Sequence, residues 1–224
     1  TNTVPSEEID GDDKTGFSPV EKLKVMADLY SFAIASEKNE SSLNIKSLDI
    51  VLTEKCSLKC VDCSNLMQYY ESPQHTDTDD LLLAFDRFMN SIDELYELRI
   101  IGGEPLMYKQ LPSIIEKLAS YDHCHNLVIY TNGTIVPNSN ALKAYSNSKV
   151  YFKISNYGAL SRNTSKLENT LEKHRIPFVS ERVTTWQDCA SIKFQDRSDQ
   201  LNKHIFGNCC VNDALTLLHG QLYL

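Results

Sequence analysis

Three cysteines, Cys56, Cys60 and Cys63, are spaced C-x-x-x-C-x-x-C just after a short apolar run, in the stretch TEKCSLKCVDC that begins at Thr53. Thiolates suit soft sites such as zinc or an iron–sulfur cluster, and gaps of three and two residues let a looped backbone aim three sulfurs at one region. We read them as iron ligands. Three thiolates are one too few for the four irons of a cubane or for a structural zinc. Either a distant residue closes the site, or one metal corner stays open to an exogenous ligand.

The elements that position these cysteines are legible from hydrophobic pattern. Strand-like runs at 48–53, 97–103, 126–133, 149–155 and 177–183 alternate with helix-like runs. The first helix is introduced by capping residues between Thr76 and Asp80 and carries Leu82, Phe85, Phe88, Met89, Ile92 and Leu95. The second has Pro112 in its first turn, the third follows Pro137 and Asn138, and Ser165 with Glu168 reads as a capping box for the fourth. Near-continuous apolar strands in βα alternation indicate a parallel sheet covered by helices, either barrel or doubly wound. Ligands of such folds sit at the carboxyl ends of the strands. Cys56, Gly102 to Pro105, Thr131 to Gly133 and Ser155 to Gly158 all fall there.

With the cysteines after the first strand and Gly102-Gly103-Glu104-Pro105 after the second, residues 46–183 resemble the radical S-adenosylmethionine (SAM) enzymes. The resemblance implies a partial (βα)6 TIM-like α/β barrel. It also implies a 4Fe-4S cluster on Cys56, Cys60 and Cys63, with SAM chelating the open iron. Gly102, Gly103, Glu104 and Pro105 would meet the methionine moiety, where glycines admit close backbone approach. Thr131, Asn132, Ser155 and Asn156 would contact its carboxylate or ribose. The family often has an aromatic residue just before the third cysteine, and Asp62 stands there. The activity implied is reductive cleavage of SAM and hydrogen abstraction from a substrate, fed by a flavodoxin- or ferredoxin-type electron donor. The substrate reading leans to a small or carbohydrate-linked molecule, with a peptide substrate or a non-catalytic zinc or redox scaffold as the alternatives.

The flanks read as separate regions. Residues 1–45 combine an acidic tail to about residue 17 with an N-terminal helix capped by Ser18, and 184–224 form a C-terminal extension ending in a β-hairpin across His219-Gly220. Cys209 and Cys210 before that hairpin resemble the start of an auxiliary-cluster module of SPASM or twitch type. A second iron–sulfur cluster and plain thiols both stay open for them. Cys124 and Cys189 read as core packing, His123 and His125 as surface residues. Tyr69, Tyr70, Tyr157, Arg162 and His219 fall near the strand ends or the late hairpin and read either as lining of a substrate cavity or, preferred for each, as packing, with no catalytic role assigned.

A net charge of −8 supplies no basic field and disfavours nucleic acid as a partner. Seven cysteines, an odd number, do not form the framework of a small secreted domain, and point to a reducing, cytoplasmic compartment. No apolar run reaches the roughly 20 residues of a bilayer span, and the polar start is unlike a signal peptide. The first residue is Thr1 and the last Leu224, which reads as a processed or cropped chain.

Overall fold

Aliphatic residues recur at every second position of the strand-like runs, as in Leu48 and Ile50 or Leu98 and Ile100, so one face of each strand is greasy. The computed structural model describes residues 14–18, 42–61, 63–185, 193–209, 211, 212 and 214–223, with residues 21, 22, 24 and 27. Its elements are β1 (Lys14–Thr15), β2 (Asn44–Val51), α1 (Thr78–Met89), β3 (Glu94–Ile101), α2 (Leu111–Ala119), β4 (Cys124–Thr131), α3 (Ser139–Tyr145), β5 (Val150–Asn156), α4 (Thr164–Lys173), β6 (Phe178–Arg182), α5 (Asp199–Gly207), β7 (Leu215–Leu218) and β8 (Gln221–Tyr223). They build one sheet in the order β1-β6-β5-β4-β3-β2-β7-β8.

Six neighbouring strands, from β6 to β7, are parallel, and antiparallel β1 and β8 flank them. The sheet does not close, which is the partial barrel the sequence predicts. Leu48, Ile50, Leu98, Ile100, Leu127 and Ile129 are completely buried on one face, in a single core with Leu81 and Phe85 of α1 and Ile114, Ile115 and Leu118 of α2. Each such side chain contributes about 1.5–3 kcal/mol. A one-residue register slip would turn this whole set to the opposite face, so the register is tightly specified.

Caps place the helix starts. The Asp77 carboxylate accepts from the backbone N–H of Asp79 and Asp80 at 3.0 Å, and Asn138 accepts from Ala141 N. Ser18 and Glu21 exchange reciprocal bonds, Glu21 N donating to Ser18 Oγ and Ser18 N to the Glu21 carboxylate. The rest of the predicted N-terminal helix lies largely outside the described residues.

Four expectations change. α1 stops at Met89 with Asn90 as its C-cap, so Ile92 lies beyond the helix and Leu95 belongs to β3. The Ser165–Glu168 capping box does not form: the helix begins at Thr164 with Asn163 as its N-cap, Thr164 Oγ1 donates to Ser161 O, and the buried Glu168 carboxylate accepts from Lys14 at 3.4 Å. Lys14 reaches it because the end of the predicted tail is a strand, Lys14–Thr15 pairing with Val179–Ser180. The strands are also not apolar on both faces: Asp49, Glu97, Arg99, Tyr130 and Lys153 occupy the alternate positions. The C-terminal hairpin forms across His219 and Gly220, both at positive φ (47° and 74°), and its strand β7 docks in parallel on β2.

Candidate functional site

The carboxyl ends of β2, β3, β4 and β5 meet around one cavity of about 280 Å³. The segment following β2 carries the cysteines, and its base is fixed from both sides. On one side Thr76 N donates to Leu52 O (3.0 Å), Glu54 N to Gln74 O (2.8 Å) and Gln74 N to the Glu54 carboxylate (2.8 Å). On the other, Gly103 N donates to Thr53 O (2.7 Å) and Glu104 N to Lys55 O (2.9 Å). His219 Nε2 adds a contact from the C-terminal hairpin to Glu54 Oε1 at 3.0 Å.

Gly102 and Gly103 allow this close approach. Gly102 sits at φ +139°, and a Cβ there would fall 2.4 Å from Thr53 O. At Gly103 it would fall 2.2 Å from Lys55 O and 2.9 Å from Cys56 N. The two exit loops lie backbone on backbone, leaving no room for a side chain. Asn65 ties the cysteine segment to the same turn by donating to Gly102 O at 2.9 Å.

Cys56, Cys60 and Cys63 are half-buried and line the cavity together. Burial pushes the Cys60 thiol up to about 11, reinforced by the neighbouring Cys63 and Cys56. Burial raises Cys56 as well, against the backbone N–H of Leu58, which donates to its sulfur at 3.4 Å. Asn132 Nδ2 reaches the same sulfur at 3.6 Å and Ser57 Oγ at 3.0 Å. Among the described residues no three His, Cys, Asp or Glu side chains are grouped around one metal-ion position. The three thiols face a common space rather than a single point.

Glu104 is the surprise of the glycine-rich turn. It is completely buried and absent from the cavity wall, its carboxylate accepting from Asn132 N (2.8 Å), Thr131 Oγ1 (2.9 Å) and Leu106 N (3.1 Å). Burial pushes its carboxyl up to about 7, and the three donors pull the other way. It pins the β3 turn to the β4 turn. Of the remaining predicted residues, Pro105, Thr131, Asn132 and Ser155 line the cavity. Asn156 does not; its side chain accepts from Gly158 N.

Other candidates are placed elsewhere. Cys209 follows α5, away from this cavity, and Cys210, Cys189 and Asp62 lie outside the described residues. Cys124 is completely buried in the core. His123 meets Met89 O and His125 meets Glu94 (2.7 Å), at the opposite ends of the strands. Asp49, Arg99 and Tyr130 line the cavity although no motif marks them. Their signal is the alternation itself: Asp49 and Arg99 each stand between two buried aliphatics, and Tyr130 between buried Ile129 and Thr131.

No family model matches the chain. Two curated relatives bear the name GTP 3′,8-cyclase. That of Ectopseudomonas mendocina is 33% identical over 91 residues, covering 40% of this chain and 27% of that protein. That of Thermodesulfovibrio yellowstonii is 26% identical over 110 residues, covering 44% and 31%. The chain thus spans less than a third of the length of these relatives. Among solved structures, Streptococcus suis SuiB bound to S-adenosylmethionine superposes with a TM-score of 0.53 at 17% identity, over 79% of this chain and 41% of that one. At that identity the likeness is one of fold.

Proposed function

We propose that the chain belongs to the radical S-adenosylmethionine superfamily and is an enzyme that cleaves SAM reductively and abstracts hydrogen from a substrate. The observation that carries this reading is the convergence of Cys56, Cys60 and Cys63 on one cavity, beside a turn whose glycines are buried against the cysteine segment. Three thiols spread over a common wall suit a 4Fe-4S cluster better than a single ion, and they leave one coordination position for SAM. When bound, these groups supply one-electron cleavage of the sulfonium C–S bond and the hydrogen abstraction that follows.

The chain's own residues hold and orient. The Leu58 N–H and the Asn132 amide direct hydrogen bonds at the Cys56 sulfur, an arrangement that stabilises its thiolate and tunes a bound cluster. Ligation would replace the thiol protons, so loading releases them. Ser155 offers a hydroxyl, and the Gly102–Gly103 turn offers backbone, to the polar groups of SAM, while the Thr131 hydroxyl is committed to Glu104. Glu104 serves this site from behind, by fixing the β3 and β4 turns to each other. A flavodoxin- or ferredoxin-type protein would deliver the electron, and Cys209 with Cys210 remain candidate ligands of a second cluster.

The test is anaerobic reconstitution with iron and sulfide, followed by dithionite and SAM. We expect 5′-deoxyadenosine from the wild type and none when Cys56, Cys60 and Cys63 are all changed to Ala. Equal product from both proteins, or colourless wild type holding one zinc, would overturn the reading.

A further inference from the structure

Beyond the cysteine rim, strand side chains that alternate with the buried aliphatics form the cavity's inner wall. Arg99 donates through Nε to Asp49 there, and Tyr130 lies beside it. Both charged side chains are mostly covered, at 23% and 17% exposure. Among the described residues, no hydrogen-bond partner falls to the two terminal amino groups of Arg99 or to the Tyr130 hydroxyl. Three donors therefore face cavity space, two of them on a side chain that Asp49 holds in place.

We propose that this wall anchors the substrate and that it takes a carboxylate; the reaction performed on that substrate rests on the enzyme reading above, the binding does not. With Nε engaged, a guanidinium presents its two terminal amino groups as a fork that matches the two oxygens of a carboxylate. The Tyr130 hydroxyl adds a neutral donor.

Charge decides between carboxylate and polyphosphate. Asp49 offsets Arg99, Lys153 pairs with Glu181 at 3.5 Å, and Glu97 accepts from Tyr151 at 2.8 Å. The sheet face thus carries three carboxylates against two cations, and its repulsion grows with ligand charge, small enough for the Arg99 fork to outweigh with one carboxylate and several times larger for a polyphosphate. A singly charged substrate with a neutral body fits this wall. A nucleoside triphosphate, the substrate class named for the cyclase relatives, does not.

Saturation-transfer NMR tests this with three probes: hippurate, its neutral amide, and tripolyphosphate. On the reconstituted wild type, hippurate should bind at least about tenfold more tightly than the amide, as a charged hydrogen-bonded pair requires, and tripolyphosphate no more tightly than hippurate. Arg99→Lys keeps the charge but loses the fork, and the Asp49→Asn/Arg99→Gln double variant removes both charges without stranding either. Each should cost about tenfold in hippurate affinity while melting near wild type. Hippurate binding no better than the amide, unchanged in both variants, or weaker than tripolyphosphate overturns the proposal. The triple-Ala cysteine variant should keep hippurate discrimination while making no 5′-deoxyadenosine. Product without discrimination sinks the wall alone; discrimination without product supports the wall and sinks the enzyme reading alone.

Discussion

Changing Gly103 to Ala asks whether the paired glycines exist to let the cysteine segment lie against the β3 turn. The new Cβ would sit 2.2 Å from Lys55 O, 2.5 Å from Lys55 C and 2.9 Å from Cys56 N, all backbone atoms that cannot rotate away. Relief requires the two backbones to part by about 1 Å, given ordinary contacts of roughly 3.5 Å. That breaks the bonds from Gly103 N to Thr53 O and from Glu104 N to Lys55 O, at about 0.5–1.5 kcal/mol each. Overpacking adds about 1–3 kcal/mol. A loss of about 3 kcal/mol corresponds to a melting temperature lower by about 6–12 °C for a chain of this size. Differential scanning calorimetry on metal-free protein reads the fold, and iron content after reconstitution reads the displaced cysteine segment. Gly207→Ala is the control, since nothing lies within 4 Å of its added Cβ, and it should be neutral or stabilising. Unchanged melting and full iron loading in Gly103→Ala would refute the reasoning.

Other residues give sharper chemical contrasts. Burial raises the Glu104 carboxyl from 4.5 to about 7, so its contribution is fully present below pH 4.5 and is lost as pH rises through about 7. Melting curves of the metal-free wild type should show that loss, and Glu104→Gln, which does not charge, should show a flatter profile. Glu104→Ala leaves three donors facing an empty site and should cost about 3 kcal/mol in denaturant unfolding. Cys124→Ala should lower stability by about 1 kcal/mol with iron content unchanged, because that thiol packs in the core. His219→Ala removes the hairpin's hold on buried Glu54 and should cost about 1 kcal/mol and slow cluster loading, followed by visible absorbance.

The parallel strands and the position of the site were legible because both rest on local pattern: aliphatic runs, turn residues and cysteines at strand ends. Boundaries were less so. β2 begins at Asn44, ahead of its apolar run, because Asn44, Ile45 and Ser47 pair with Glu94, Leu95 and Glu97 across the sheet. The glycines of the 102–105 turn suggest room for a ligand, whereas the nearest atoms belong to Thr53, Lys55 and Cys56, contacts between segments distant in sequence. Glu104 looked like a ligand-facing acid because its three donors come from the β4 and β3 turns, which no spacing reveals. Arg99 and Asp49 went unread since their partnership exists only through strand register. The same long-range pairing explains β1 on β6 and β7 on β2, both invisible to periodicity.

Electron paramagnetic resonance of the reconstituted, dithionite-reduced protein, recorded without and with SAM, tests the central claim most directly. An iron–sulfur signal that shifts when SAM is added and vanishes in the Cys56, Cys60 and Cys63 triple-Ala variant is the predicted result. A signal indifferent to SAM, or one that survives loss of all three thiols, would contradict it.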